Sequence, residues 1–381
     1  MQRKPSLISS VSVRSSEADD ADDDESGRPA SWKFPCWLKG LVVFHLVVGL
    51  FGLAFAGSSL AHSGAVETGA AAAAAVPKVE ALSESKFEAI PLRSGLQMPA
   101  LGFGTCCRPS AHGPAVIEST IRYLKAGGRL VDTAMAYGNH KEIGSAIASS
   151  GVPRENIWLT SKIAPNTVKS RNATIAACDA ILSDLGVRYL DLLLIHSPKL
   201  KQEKTTELWL GLIELKRTGK VKAIGVSNFN WLEILALQKA TGELPEVNQL
   251  QFHPWTPRQW KAVVTKQQES GVSTTAYTSL GGSRFRSAGS NWGEVLKAAA
   301  AKYNATEAQV LLRWALQQGV AVIPGSSSEA HICENLRVPF FTLGSADALA
   351  IENSPPPPSW FDPKRGPAKF EGKLADVPWH L

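Results

Sequence analysis

Eight short apolar runs separated by longer amphipathic stretches constrain this chain more than any other feature of its sequence. They read ALGFG, RLVDT, IWLTSK, LDLLLIH, VKAIGVS, EVNQLQF, STTAY and VAVIPG, between Ala100 and Gly325. Helical patterns such as Glu118 to Ala126 lie between them. Strands that alternate with helices pair in parallel through helical crossovers. Eight nearly uninterrupted apolar strands are what a closed barrel needs, because both faces of each strand are covered. The expected fold is therefore α/β, a (β/α)8 TIM barrel over residues 87–343. An open doubly wound sheet is the competing arrangement. Gly102-Phe103-Gly104 argues against it, since a dinucleotide fingerprint needs a third glycine and a later acidic residue at a set distance.

Ahead of the first run, AIPLRSGLQMP (Ala89 to Pro99) has two short apolar pieces around Ser94-Gly95, which predicts a β-hairpin plugging the N-terminal end of the barrel. A helix is expected from Glu329 to Leu336. Residues 344–381 contain PPPPSWFDPKRGP and are expected to be an irregular, proline-rich tail, because proline removes backbone donors and clashes with a preceding turn.

The other end of the chain differs in kind. Residues 1–40 are rich in Ser, Asp and Glu, carry an acidic run from Asp19 to Glu25 and show no apolar period, so they read as a disordered leader. Residues 41–61, LVVFHLVVGLFGLAFAGSSLA, are nearly uncharged and about long enough to span a bilayer. Lys33 and Lys39 precede this segment and no Lys or Arg follows it before Lys78, a bias that places the catalytic region on the non-cytosolic side of a membrane. A single-pass signal anchor is expected, or a signal peptide cleaved near Ala54-Phe55-Ala56 that delivers the barrel to the secretory pathway or a plastid lumen. Residues 62–86 read as an Ala-rich linker.

The formal charge of +6 is small and its Lys and Arg residues are scattered, which excludes the basic stripe of a nucleic-acid binder. Five widely spaced cysteines give neither a disulfide framework nor a zinc pattern, and the adjacent Cys106 and Cys107 read as small hydrophobes or reactive thiols.

Nearly every apolar run ends in a polar residue: Asp132, Lys162, His196, Ser227 with Asn228, Gln249, and Tyr277. In a barrel these are the C-terminal strand ends, where active sites are built. Asp132, Tyr137, Lys162 and His196 together make an acid. A tyrosine hydroxyl, with a pKa of about 10, becomes a useful proton donor when a nearby ammonium stabilises its anion. Lys162 supplies that charge, Asp132 from the neighbouring strand pairs with it, and His196 hydrogen-bonds the substrate oxygen.

These segments resemble the aldo-keto reductases over almost the whole of 87–343: GLQMPALGFGT, VDTAMAYGN, LTSKI, DLLLIHSP, IGVSNF, NQLQFHP and AYTSLGG occur in that family's order. The resemblance implies that Asp132, Tyr137, Lys162 and His196 are a catalytic tetrad for reducing aldehydes or ketones with NAD(P)H, with no metal. It implies that Ser227, Asn228 and Gln249 hold the nicotinamide carboxamide and that Tyr277 stacks on the ring. The loop with Thr278 and Leu280, and the segment with Ser326 and Asn335, would carry the phosphates. NADP is the implied cofactor and NAD the alternative, because Gly325 and His331 stand where NADP-dependent members commonly carry a lysine and an arginine, and a histidine is mostly neutral near pH 7. Thr105 to Pro114, Trp255 and Gly282 to Trp292 are expected at the pocket mouth, facing a small-molecule carbonyl substrate. Two other classes share such a face: a metal-dependent hydrolase, weakened by the lack of H-x-H on the first strand, and a cofactor-binding redox sensor without significant turnover. The oligomeric state is not legible.

Overall fold

A computed structural model describes residues 88–281 and 293–356. Strands β1 (Ala89–Pro91) and β2 (Gln97–Pro99) pair antiparallel with Ile90 opposite Met98, as the hairpin expectation required. Gly95 turns the corner at φ +86°, a left-handed conformation that suits glycine. Ser94 fixes the tip from its backbone N–H (3.1 Å) and its hydroxyl (2.6 Å), both donating to Glu246 Oε2.

Eight parallel strands follow: β3 (Gly102–Gly104), β4 (Leu130–Asp132), β5 (Trp158–Ile163), β6 (Leu190–Ile195), β7 (Val221–Ser227), β8 (Val247–Gln251), β9 (Ser273–Tyr277) and β10 (Ala321–Val322). Each pairs with its sequence neighbours, from β3 to β10. The ring closes through a parallel bridge between Leu101 and Val322, with Val322 N–H donating to Ala100 O at 2.8 Å.

Alternation along the strands sorts their side chains into two cores. Leu130, Trp158, Leu192, Leu194 and Val247 pack together in the interior with Leu92 and Met98 of the hairpin segment, which therefore closes the N-terminal end. Val131, Leu159, Leu193, Ile195, Val226 and Leu250 belong to the second core, which also contains the inward faces of the helices. The crossovers are helices α1 (Gly113–Lys125), α2 (His140–Ser150), α3 (Arg171–Leu185), α4 (Gln202–Arg217), α5 (Trp231–Thr241) and α6 (Arg258–Glu269), and the last connection carries two, α7 (Glu294–Tyr303) and α8 (Glu307–Gln317). Local chemistry sets their starts: Asn230 with Glu233, and Thr306 with Gln309, form reciprocal capping boxes at α5 and α8. Helix α9 spans Glu329–Leu336 as the sequence predicts.

Three expectations need correction. The segment after 343 is not irregular throughout: Ser345–Glu352 forms helix α10. It is tied to α7 by Asp347, which accepts from Lys302 Nζ (2.8 Å) and Tyr303 Oη (2.5 Å), and to α6 by a 2.9 Å ion pair between Glu352 and Lys261. The adjacent cysteines are not small buried hydrophobes either, since Cys106 is half-buried and Cys107 is exposed at φ +67°. Finally, the membrane placement does not stand, neither the single pass with a non-cytosolic barrel nor the secretory or plastid variant. Among the described residues no helix is long and apolar enough to cross a membrane. The longest of them, α4, has 16 residues; at about 1.5 Å per residue it reaches only about 24 Å, short of a hydrocarbon core of about 30 Å. Segment 41–61, on which the expectation fell, lies outside the described residues, as do the leader, the linker and 357–381.

Candidate active site

Strand β4 ends at Asp132, β5 carries Lys162 near its end, and His196 follows β6, so neighbouring strands deliver all three to one mouth. Tyr137 arrives from the β4–α2 loop, on a single 3-10 turn closed by Gly138 at φ +65°. Lys162 is fully buried, and its ammonium donates to Asp132 Oδ1 (2.5 Å), Thr133 O (3.0 Å) and Tyr137 Oη (3.2 Å). An ammonium has three hydrogens, so this set satisfies it. Burial works against the charge, but the charges and hydrogen bonds of Asp132 and Tyr137 outweigh it and hold the Lys162 pKa above the ordinary lysine value. Because Lys162 donates to it, Tyr137 Oη is an acceptor in that bond and its own hydrogen points elsewhere.

His196 stands edge-on to Tyr137, with ring centroids 5.7 Å apart. Burial, with Lys162 and Lys199 adding to it, pushes its pKa down to about 4, so the imidazole is neutral near pH 7. It can donate a hydrogen bond to an oxygen without acting as an acid.

The amide and hydroxyl groups of the next strands lock together. Ser227 Oγ donates to Gln249 O (2.9 Å), Asn228 Nδ2 donates to Ser227 Oγ (3.1 Å) and His196 O (3.2 Å), and Tyr277 Oη donates to Asn228 Oδ1 (2.7 Å). Asn228 and Thr278 hold left-handed φ values of +64° and +51°, strained for residues with a Cβ and found at the ends of β7 and β9. Gln249 does more than its strand-end position suggests, since its Nε2 donates 2.8 Å to Asp132 Oδ2 and joins the amide group to the ion pair.

Ser326 and Asn335 sit apart from this cluster. Ser326 lies in the loop after β10, where its Oγ accepts from Ser328 N–H at 3.1 Å, and Asn335 is half-buried on α9. Thr278 is exposed and Leu280 half-buried in the loop after β9. Trp255, expected at the mouth, is buried and donates from its indole to Ser354 O at 3.1 Å. Residues 282–292 of the expected mouth lie outside the described residues.

Sequence reasoning missed the brace behind Tyr137. Asn139, fully buried, donates from Nδ2 to Thr105 O and Ala111 O (3.0 Å each) and accepts from Thr133 Oγ1 (2.7 Å). It pins the β3–α1 loop to the loop that carries Tyr137. Its only signal was a polar residue directly after the YG turn. Among the described residues no cluster of three His, Cys, Asp or Glu side chains is arranged to hold a metal ion.

A sequence model of the aldo/keto reductase family matches residues 101–354, and the chain belongs to that family. An aldo-keto reductase of Mycolicibacterium smegmatis is 38% identical over 69% of this chain and 91% of its own length. The NAD(P)H-dependent D-xylose reductase of Candida tenuis is 37% identical, over 68% of this chain and 90% of its own. Among solved structures, the Bombyx mori aldo-keto reductase in complex with NADP superposes with a TM-score of 0.63 at 28% identity, covering 70% of this chain and 92% of that one. Members of this family are generally NAD(P)H-dependent reductases of small-molecule carbonyls, and this chain is an oxidoreductase of that kind.

Proposed function

We propose that this protein reduces an aldehyde or ketone to the alcohol with Tyr137 as the general acid and NADPH as the preferred hydride source. The observation that carries the reading is the buried ammonium of Lys162 shared between Asp132 and Tyr137. The residues at the mouth suit the cofactor: side-chain amides, a hydroxyl and a phenol at adjacent strand ends match a planar ring bearing a carboxamide. Asn228, Ser227 and Gln249 would hold that carboxamide and Tyr277 would face the ring, while Thr278, Leu280, Ser326 and Asn335 would flank the phosphates and adenosine. When bound, the reduced nicotinamide supplies a hydride to the carbonyl carbon.

This chain's own groups manage the oxygen. His196, neutral, donates a hydrogen bond that orients the carbonyl, and Tyr137 passes its phenolic proton to the oxygen as the C–O double bond becomes an alcohol. The resulting phenolate accepts from Lys162, whose charge is already in place before the reaction and needs no reorganisation. Asp132 keeps that ammonium charged, and Tyr137 regains its proton from solvent. The Candida tenuis relative's name pairs NAD(P)H with a sugar aldehyde, and the Bombyx mori relative binds NADP, both of which support this assignment.

The test follows NADPH and NADH absorbance with a panel of aldehydes and ketones. Turnover is expected with NADPH, and Tyr137→Phe is expected to lower kcat by about 10²- to 10⁴-fold while leaving cofactor affinity intact. Equal turnover in the variant would remove Tyr137 from the role of acid.

A further inference from the structure

The loop after β10 presents a shape that its own sequence does not complete. In barrels of this architecture, phosphate sites are commonly built by the loops after the seventh and eighth strands and the N-terminus of a short following helix. Here those are the first residues after β9 (Thr278–Gly281), the loop after β10 and the first turn of α9, capped by Ser328. Residues 325–328 read Gly-Ser-Ser-Ser and carry no cation, and Glu329 begins the helix.

Arg108 reaches this loop from the opposite lip of the barrel seam, the β3–α1 loop. Its Nη2 donates to Gly104 O at 3.2 Å, while a Cβ built on Gly325 would overlap Arg108 Nη1. The guanidinium therefore lies in the space that a side chain at 325 would take. It is only half-buried, and Gly325 beside it is exposed.

We propose that Arg108 is the cation that recognises a phosphate of the dinucleotide, occupying the place vacated by the glycine at 325. A guanidinium presents a planar fork of donors that matches phosphate oxygens, and it keeps its charge at every working pH. The serine hydroxyls and the amides of the first turn of α9 supply the remaining donors around the same anion. Gly325 is the enabling residue, since any larger side chain there displaces the guanidinium. The inference rests on the reading of this mouth as a dinucleotide site, and it names a residue outside the strand-end cluster as a determinant of cofactor choice.

The experiment titrates the purified full chain with NADPH and NADH separately, by quenching of tryptophan fluorescence. It compares wild type with Arg108→Gln, Arg108→Lys and Gly325→Val, with thermal unfolding confirming that each variant folds. Losing a charged hydrogen-bond partner is expected to raise Kd about ten- to hundredfold in Arg108→Gln. Loss confined to NADPH assigns the 2′-phosphate, and equal loss with both cofactors assigns the pyrophosphate. Arg108→Lys is expected to recover part of the affinity, and Gly325→Val to reproduce the defect with Arg108 intact. Wild-type binding that neither Arg108→Gln nor Gly325→Val weakens would overturn the proposal. A wild type that binds neither cofactor would overturn the dinucleotide reading itself, and the role of Arg108 with it.

Discussion

Asp132→Asn removes one charge from a fully buried pair and changes little else in shape. The asparagine oxygen can still accept from Lys162, but its amide nitrogen then meets Gln249 Nε2, a donor against a donor. Lys162 keeps a positive charge with no exposed surface and no anionic neighbour. Breaking a buried pair from one side costs about 3–5 kcal/mol. At roughly 2–4 °C per kcal/mol for a domain of this size, Tm falls by roughly 6–20 °C at pH 7. The pH dependence carries the diagnostic sign. In the parent, Lys162 is raised above its unfolded value, so its contribution is complete below about pH 10.4 and lost only as pH rises through the folded value. In the variant, burial is left unopposed and pulls the folded value below the unfolded one. The unfolded state then binds more protons, and the variant gains stability as pH rises toward about 10.4. Calorimetry at pH 7 and pH 9.5 should therefore show the gap between parent and variant narrowing. Replacing Lys162 with methionine in the same variant should restore much of the loss. A Tm within roughly 2 °C of the parent at pH 7, or a gap that widens with pH, would refute the reasoning.

Other expectations are accessible to simple measurements. His140, which shares a 2.9 Å hydrogen bond with Ser161, and His253 are buried and held down to about 4 and about 3, first by desolvation. The unfolded chain takes up protons below about pH 6.5 while these groups stay neutral, so each removes about 2 kcal/mol of stability between pH 6.5 and pH 5. Urea midpoints should fall across that window, and His140→Gln should flatten the slope; an unchanged slope would mean that His140 titrates normally. A Cβ at Gly225 would overlap Val247 O across the β7–β8 ladder and crowd Leu194 Cδ2 at 2.7 Å, so Gly225→Ala should destabilise by about 1–3 kcal/mol in urea unfolding.

Much of this molecule was readable before any coordinates because its signals are local. Each apolar run became a strand, and the polar residue at its end projects at the mouth, since both follow from the alternation of a buried strand. Asp132 and Tyr137 are both brought into contact with Lys162 by that rule and one turn. What the sequence hid depends on distant contacts. Helix α10 has almost no amphipathic pattern of its own, and its place follows from Asp347 reaching Lys302 and Tyr303 and from Glu352 reaching Lys261. Asn139 carried no reading of its own in the sequence, and it bonds backbone oxygens at 105 and 111 that only the folded loop brings near. The meeting of Arg108 with Gly325 joins residues at opposite ends of the barrel sequence, and no spacing rule connects them. The membrane expectation failed differently: it was drawn from segment 41–61, which lies outside the described residues, and among the described residues no helix is long and apolar enough to cross a membrane.

A ring is only as continuous as its shortest link. Strand β10 has two residues, and across the seam to β3 the bonds are few: Val322 N–H to Ala100 O at 2.8 Å and Gly104 N–H to Pro324 O at 3.2 Å. Thermal breathing concentrates where the ladder is thinnest, so these two amides should exchange their hydrogens with solvent sooner than those of β6, which is bonded along its length on both sides. Arg108 and the loop from Gly325 to Ser328 stand on the two lips of that opening. A dinucleotide gripped from both lips works as a clasp, and the saturated barrel becomes harder to melt by the mass-action term that any native-state ligand adds.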